Sequence, residues 1–183
     1  MRINDLVRLG PKHVQHIFSE QLYLRTGIDI TQPVTFYGII NERCNVKCQH
    51  CGYWRLEDYQ QELSTQQWQN TLLNLKKLVG NFSINFSGGE PFLRSDMIDL
   101  LNFCHQQGIR SGVTTNGSTL TRNNVKKIVA THPFNINISC DAPNSEIHDE
   151  FRGFAGLFNK LNQGIIFLLE EKKLQNIEFP IVI

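Results

Sequence analysis

Residues 82–117 read FSINFSGGEPFLRSDMIDLLNFCHQQGIRSGVTTNG, and their order decides the fold. Phe82 to Phe86 alternates apolar and polar residues in the manner of a strand. Ser87 to Pro91 (SGGEP) supplies turn residues. A helix starts at Ser95 or Asp96, carries Met97, Leu100, Leu101 and Cys104 at helical spacing, and ends at Gly108. Ile109 to Thr115 is a second strand, stopped by Asn116-Gly117. Strand, helix and strand in succession point to parallel pairing with the helix outside.

The same alternation extends in both directions. Toward the N-terminus, Ser64 and Gln67 form a capping-box pair that opens a helix ending at Gly80. Val34 to Ile40 (VTFYGII) reads as a buried strand. Ahead of it, Pro11 to Arg25 is helical, with Pro11 at a first position and Gly27 as the stop. Toward the C-terminus come a helix over Thr121 to Thr131 and a strand over Asn135 to Cys140 (NINISC). A loop containing Asp149 and Arg152 follows, then a helix from Leu157 to Lys173. Ile177 to Ile183 (IEFPIVI) begins one more strand.

These elements define an α/β protein with a parallel sheet, wound by right-handed crossovers as an open or closed (βα) barrel. Residues 1–33 form a helical extension and residues 34–183 the core, without repeats or low-complexity segments.

The chain has 183 residues and is 40% hydrophobic, which suits one folded domain and argues against disorder. Its net charge of +1 provides no global field for nucleic acid or an anionic membrane. No stretch has the length of a signal peptide or a membrane span, so the expected location is cytoplasmic. There, five cysteines read as thiols or metal ligands rather than disulfides.

Parallel α/β sheets hold ligands at the C-terminal ends of their strands. The special residues of this sequence fall at those ends. Cys44, Cys48 and Cys51 follow the first strand, and Gly88-Gly89-Glu90 the second. Thr115-Asn116-Gly117 follows the third, while Ser139 and Asp141 close the fourth.

Cysteine thiolates hold iron–sulfur clusters, and an electron-transfer cluster normally takes four. The spacing Cys44-x3-Cys48-x2-Cys51 offers three. Cys104 lies on an outer helix and Cys140 in a strand. Three ligands leave one iron open, as in sites that bind a cofactor or substrate. The alternative is zinc, with His50 or a distant histidine as fourth ligand, in a structural or redox-sensing module. The x3/x2 spacing fits that less well than the paired C-x2–4-C arrangement.

The cysteine triplet, then GGEP, TTNG and SCD after successive strands, with HDEFRG at residues 148–153, resembles radical S-adenosylmethionine enzymes over roughly residues 34–183. In motif style it is most similar to the branch of molybdopterin-precursor synthases and peptide maturases of the SPASM type. The resemblance implies a [4Fe–4S] cluster on Cys44, Cys48 and Cys51. It also implies S-adenosylmethionine on the open iron, cleaved reductively to methionine and a 5′-deoxyadenosyl radical that abstracts hydrogen from substrate. Such an oxidoreductase takes electrons from a flavodoxin or ferredoxin and acts on a peptide or a small molecule.

The resemblance also implies cofactor-binding roles. His50 occupies the aromatic position beside the adenine. Gly88, Gly89 and Glu90 meet the methionyl amino group. Ser139 contacts ribose or carboxylate. Asn116 reaches cofactor or substrate, or only makes a turn; Asp141 binds ribose, or caps a turn. Arg152 pairs with the methionine carboxylate, or makes a surface salt bridge to Asp149 or Glu150. No general acid or base is indicated. The family core usually has six strands, whereas this sequence stops within its fifth, which leads us to expect a fragment or a partner-dependent form.

Overall fold

Five parallel strands form one sheet in the computed structural model, which describes residues 3–56 and 61–183, with side chains from residue 14 onward. They are β1 (Thr35–Asn41), β2 (Ser83–Gly88), β3 (Arg110–Thr115), β4 (Ile136–Ile138) and β5 (Ile181–Val182). Their order in the sheet is their order in the chain. A doubly wound sheet reverses direction at its middle; an unreversed order is that of barrel staves. The helices are α1 (Ile3–Thr26), α2 (Thr65–Val79), α3 (Met97–Gln106), α4 (Arg122–Ala130), α5 (Ser145–Arg152) and α6 (Leu157–Gln175). This is the parallel α/β partial barrel expected from the sequence.

Local signals set the helix ends. The Ser64 hydroxyl accepts the Gln67 amide at 3.3 Å, and the Gln67 side chain accepts the Ser64 amide at 2.8 Å. Two otherwise orphan donors at the start of α2 are thereby satisfied. Thr121 caps α4 and Asn144 caps α5 through a single bond each, the side chain accepting the amide three residues on.

The core lies between the sheet and its helices. Ile40, Phe86 and Val113 from the strands meet Trp68, Leu72, Leu100, Leu101 and Ile128 from the helices. The Trp68 and Phe86 rings pack edge to face, with centroids 5.8 Å apart. The alternate strand positions differ in character. Tyr37 and Ile39 are exposed. Asn85 and Asn137 both donate to the Thr114 hydroxyl, at 3.1 and 3.3 Å. A strand's period of two thus divides the sheet into an oily outer face and a more polar inner one.

Some boundaries depart from the sequence reading. The segment containing Asp149 and Arg152, expected as a loop, is helix α5. Its signals were the caps, Asn144 before it and Gly153 (φ 60°) after it, rather than an apolar stripe. Helix α1 starts at Ile3, ahead of Pro11. A proline inside a helix removes one hydrogen bond without having to end it. β4 and β5 are shorter than the runs NINISC and IEFPIVI. Pro180 cannot donate to a ladder, so only its carbonyl takes part, accepting the Ile136 amide at 3.1 Å. Among the described residues, no helix is long and apolar enough to cross a membrane.

Phe86 is 0% exposed at the centre of this core. Phe86→Ala should cost about 3–5 kcal/mol in urea unfolding, whereas Ser64→Ala should cost only about 1 kcal/mol.

Candidate active site

The turn after β2 lies against the backbone that leaves β1. Gly88 has φ 126°, and a Cβ there would stand 2.1 Å from the Asn41 carbonyl oxygen; one on Gly89 would stand 2.0 Å from that of Arg43. No side chain fits at either position. The contact is bonded as well as close. The Gly89 amide donates to the Asn41 carbonyl at 2.9 Å, and the Glu90 amide to that of Arg43 at 2.8 Å. The buried Asn41 side chain donates to the Glu90 carbonyl at 2.9 Å.

The Glu90 carboxylate is 0% exposed. One oxygen accepts the Thr115 hydroxyl at 2.8 Å and the Phe92 amide at 3.1 Å; the other accepts the Asn116 amide at 2.7 Å. Glu90 therefore ties the end of β2 to the end of β3. Burial pushes its pKa up and the three donors pull it back, leaving it raised to about 7.

The cysteine loop is held from its other side by α5. Lys47 and Gln49 donate their amides to the Arg152 and Phe151 carbonyls, each at 2.9 Å. Val46, Cys48 and Leu157 form a small buried cluster, against which Cys44, Cys51 and Phe154 pack. The Trp54 indole N–H donates to the Cys48 carbonyl at 2.9 Å. All five cysteines are free thiols. Burial raises the Cys44 pKa, and the nearby Glu90 and Cys48 add to that. Among the described residues, no three His, Cys, Asp or Glu side chains are grouped so as to hold a metal ion. The three thiols share this small apolar cluster without closing on one point.

Two side chains direct N–H groups at those sulfurs. The Asn116 carboxamide nitrogen is 3.9 Å from Cys44 Sγ and 3.0 Å from Asn45 Oδ1. An Arg152 terminal nitrogen is 3.5 Å from Cys48 Sγ, and its Nε donates to Asp141.

The structure thus gathers Cys44, Cys48, Cys51, Gly88, Gly89, Glu90, Asn116, Asp141 and Arg152. Arg152 is only 8% exposed and makes no surface bridge to Asp149 or Glu150. Asp149 instead accepts the Gly156 and Phe158 amides at 2.6 and 2.8 Å, capping α6. Ser139 stands beside the group, its amide donating to the Thr115 carbonyl at 2.9 Å. His50 is exposed at the rim and stacks on Phe151, with ring centroids 4.9 Å apart. Cys104 is apart from all of these. It faces the core from α3, and burial pushes its pKa to about 12. Cys140 donates to the Ala142 carbonyl.

Sequence reasoning missed Asn41, Arg94 and His148, all buried. Asn41 ends a strand that is otherwise apolar at its close. His148 is 0% exposed, with Nδ1 accepting the Asp141 amide at 3.3 Å. A polar residue closing a strand beside a cysteine loop was the signal available for Asn41.

A parallel partial barrel with a cysteine loop, a glycine turn and a buried arginine gathered at its strand ends belongs to the class of α/β proteins that act at that end of the sheet. Residues 39–166 match the Radical SAM superfamily, and the chain belongs to that family. It is 36% identical over 143 residues to an AdoMet-dependent heme synthase of Oleidesulfovibrio alaskensis, covering 78% of this chain and 36% of that protein. It is 31% identical over 127 residues to a mycofactocin maturase of Mycolicibacterium smegmatis, covering 69% of this chain and 32% of that one. The chain therefore spans about a third of the length of the curated relatives it matches. Among solved structures it superposes on Streptococcus suis SuiB bound to precursor peptide SuiA with TM-score 0.61. There the identity is 19%, over 90% of this chain and 42% of that one. Maturases stand among these relatives, in line with the motif style of the sequence.

Glu90 makes this site pH-dependent. Its folded pKa lies above the ordinary 4.5, so its contribution to stability is full below about 4.5 and is lost as pH rises through about 7. Referenced to Glu90→Gln, urea unfolding should show that decline, by ~3 kcal/mol in all. A difference independent of pH would contradict it.

Proposed function

We propose that residues 34–183 are the core of a radical S-adenosylmethionine enzyme, that residues 1–33 are an extension of it, and that Cys44, Cys48 and Cys51 hold a [4Fe–4S] cluster. The observation that carries this reading is the packing of three free thiols into one apolar cluster at the strand ends. The donor set fits the group. A cubane takes its thiolates at separate corners, so the sulfurs need not converge on a point. Hydrogen bonds to sulfur and burial are the usual means of tuning such clusters, and Asn116 and Arg152 offer the first. Iron supplies the positive charge that burial withholds from Cys44, so the raised pKa of the free thiol is no obstacle.

When bound, the cluster and S-adenosylmethionine supply a one-electron cleavage that yields methionine and a 5′-deoxyadenosyl radical. The residues of the chain bind, orient and exclude water. The backbone carbonyls of Gly88 and Gly89 would accept the methionyl ammonium. Glu90 holds the turns after β2 and β3 in one frame. Arg152, oriented by Asp141, offers a cation to the methionine carboxylate. Ser139 would meet the ribose and His50 the adenine, and Asn116 steadies the loop around Cys44. The substrate is a peptide or a small molecule, with electrons from a flavodoxin or ferredoxin, in a cytoplasmic setting. Relatives named for heme synthesis and for peptide binding support that range.

The rival reading is a zinc-holding module without catalysis. Anaerobic reconstitution separates the two. The chain should take up ~4 iron and ~4 sulfide, change its electron paramagnetic resonance spectrum on adding S-adenosylmethionine, and release 5′-deoxyadenosine after dithionite. Cys48→Ala should lose all three. Stoichiometric zinc without iron would sink the proposal.

A further inference from the structure

Arg94 is a charged side chain buried beneath the cysteine loop rather than inside the site. It is 8% exposed. Its guanidinium makes five hydrogen bonds. Nε and one terminal nitrogen donate to the two oxygens of Asp96, at 2.9 and 2.7 Å. The other terminal nitrogen donates to the Ile40 carbonyl at 3.2 Å, the Leu63 carbonyl at 3.0 Å and the Glu62 carboxylate at 3.2 Å.

The placement of those acceptors is informative. Ile40 is the penultimate residue of β1, just before the cysteine loop; Glu62 and Leu63 lie just before α2, where that loop ends. A single nitrogen therefore grips the chain on both sides of Cys44, Cys48 and Cys51. Glu62 doubles the grip by also accepting Arg43, at 2.9 Å, from within the loop. Asp96 extends it to α2, accepting the Thr65 hydroxyl at 2.6 Å. Arg94 itself closes the short helical turn that follows Gly88–Glu90: its amide donates to the Pro91 carbonyl at 3.0 Å, and the Leu93 amide before it donates to the Glu90 carbonyl at 3.1 Å.

A buried charge is retained only where its hydrogen bonds are met, and here carboxylates and carbonyls meet them on every side. Lysine has three donors on one point and no planar fork, so it cannot span Asp96 and two backbone carbonyls together.

We propose that Arg94 is a positioning residue: it latches the two ends of the cysteine loop to each other and to the glycine turn, and so sets where the thiols stand relative to the S-adenosylmethionine site. The proposal rests on the functional reading above. The short x3 and x2 spacings keep the thiols together without the latch; the backbone bonds of Gly89 and Glu90 tie the start of the loop to the turn, and the latch adds the hold on its far end.

Two measurements on Arg94→Gln test it. In the metal-free chain, hydrogen exchange of residues 41–56 should quicken by about tenfold or more, with α4 and α6 unchanged. After reconstitution, iron and sulfide content should match wild type while S-adenosylmethionine binds ~10-fold more weakly, followed by its spectral change. Arg94→Lys should fall between the two. Unchanged S-adenosylmethionine affinity, or faster exchange spread across the whole sheet, would overturn the proposal. If Arg94→Gln does not fold, Glu62→Gln decides by the same two measurements, with smaller changes in the same direction expected and none counting against it. A wild-type chain that takes up no iron would defeat the functional reading instead, and the exchange experiment would still test the latch.

Discussion

The site depends on one steric constraint: the Gly88-Gly89 turn lies so close to the backbone of Asn41 and Arg43 that no Cβ fits between them. The contact brings the ends of β1 and β2 within hydrogen-bonding reach beyond their regular ladder. It fixes the direction in which the chain leaves β1, and therefore where the cysteine loop begins. A larger residue at either glycine would push that exit outward, carrying Cys44 with it. In the proposed reading the carbonyls of this turn meet the cofactor's ammonium, and the same lack of side chains that permits the contact would leave room for it.

Around that contact, polar groups are buried and satisfied by one another. Glu90 receives three donors, Arg152 pairs with Asp141, and Arg94 is surrounded by acceptors. A half-satisfied network in an apolar setting would be costly, because each missing partner leaves a desolvated group. Completing these bonds holds four strand ends in one arrangement. Glu90 shows what this implies for function. Its carboxylate is fully engaged by the protein, so it contributes to the site by holding Thr115 and Asn116 in place, with its backbone carbonyl tied to Asn41.

Much of this was legible in the sequence. The alternation of elements, the Ser64–Gln67 cap and the position of each motif at a strand end follow from local rules, and local rules survive folding. The cysteine triplet was legible because its chemistry is written in spacing. What escaped was non-local. Arg152 could not be assigned a partner, because Asp141 lies on the far side of a turn and Asp149 is occupied in capping α6. α5 hid because its helix is made by caps rather than by an apolar stripe. β5 was over-read because Ile177 and Phe179 are apolar for burial in the core, not for pairing in the sheet.

The cysteine loop is gripped on three sides by different kinds of force. Steric contact with the glycine turn fixes its start, backbone hydrogen bonds from Lys47 and Gln49 dock its middle on the end of α5, and apolar packing on Leu157 covers the thiols. Each of these acts at short range and none involves the sulfurs as ligands. The loop is therefore arranged before anything binds to it. A thiol set organised by its surroundings spends little ordering entropy when it takes up a cluster. Its sulfurs are free thiols, as the proposed cluster would require.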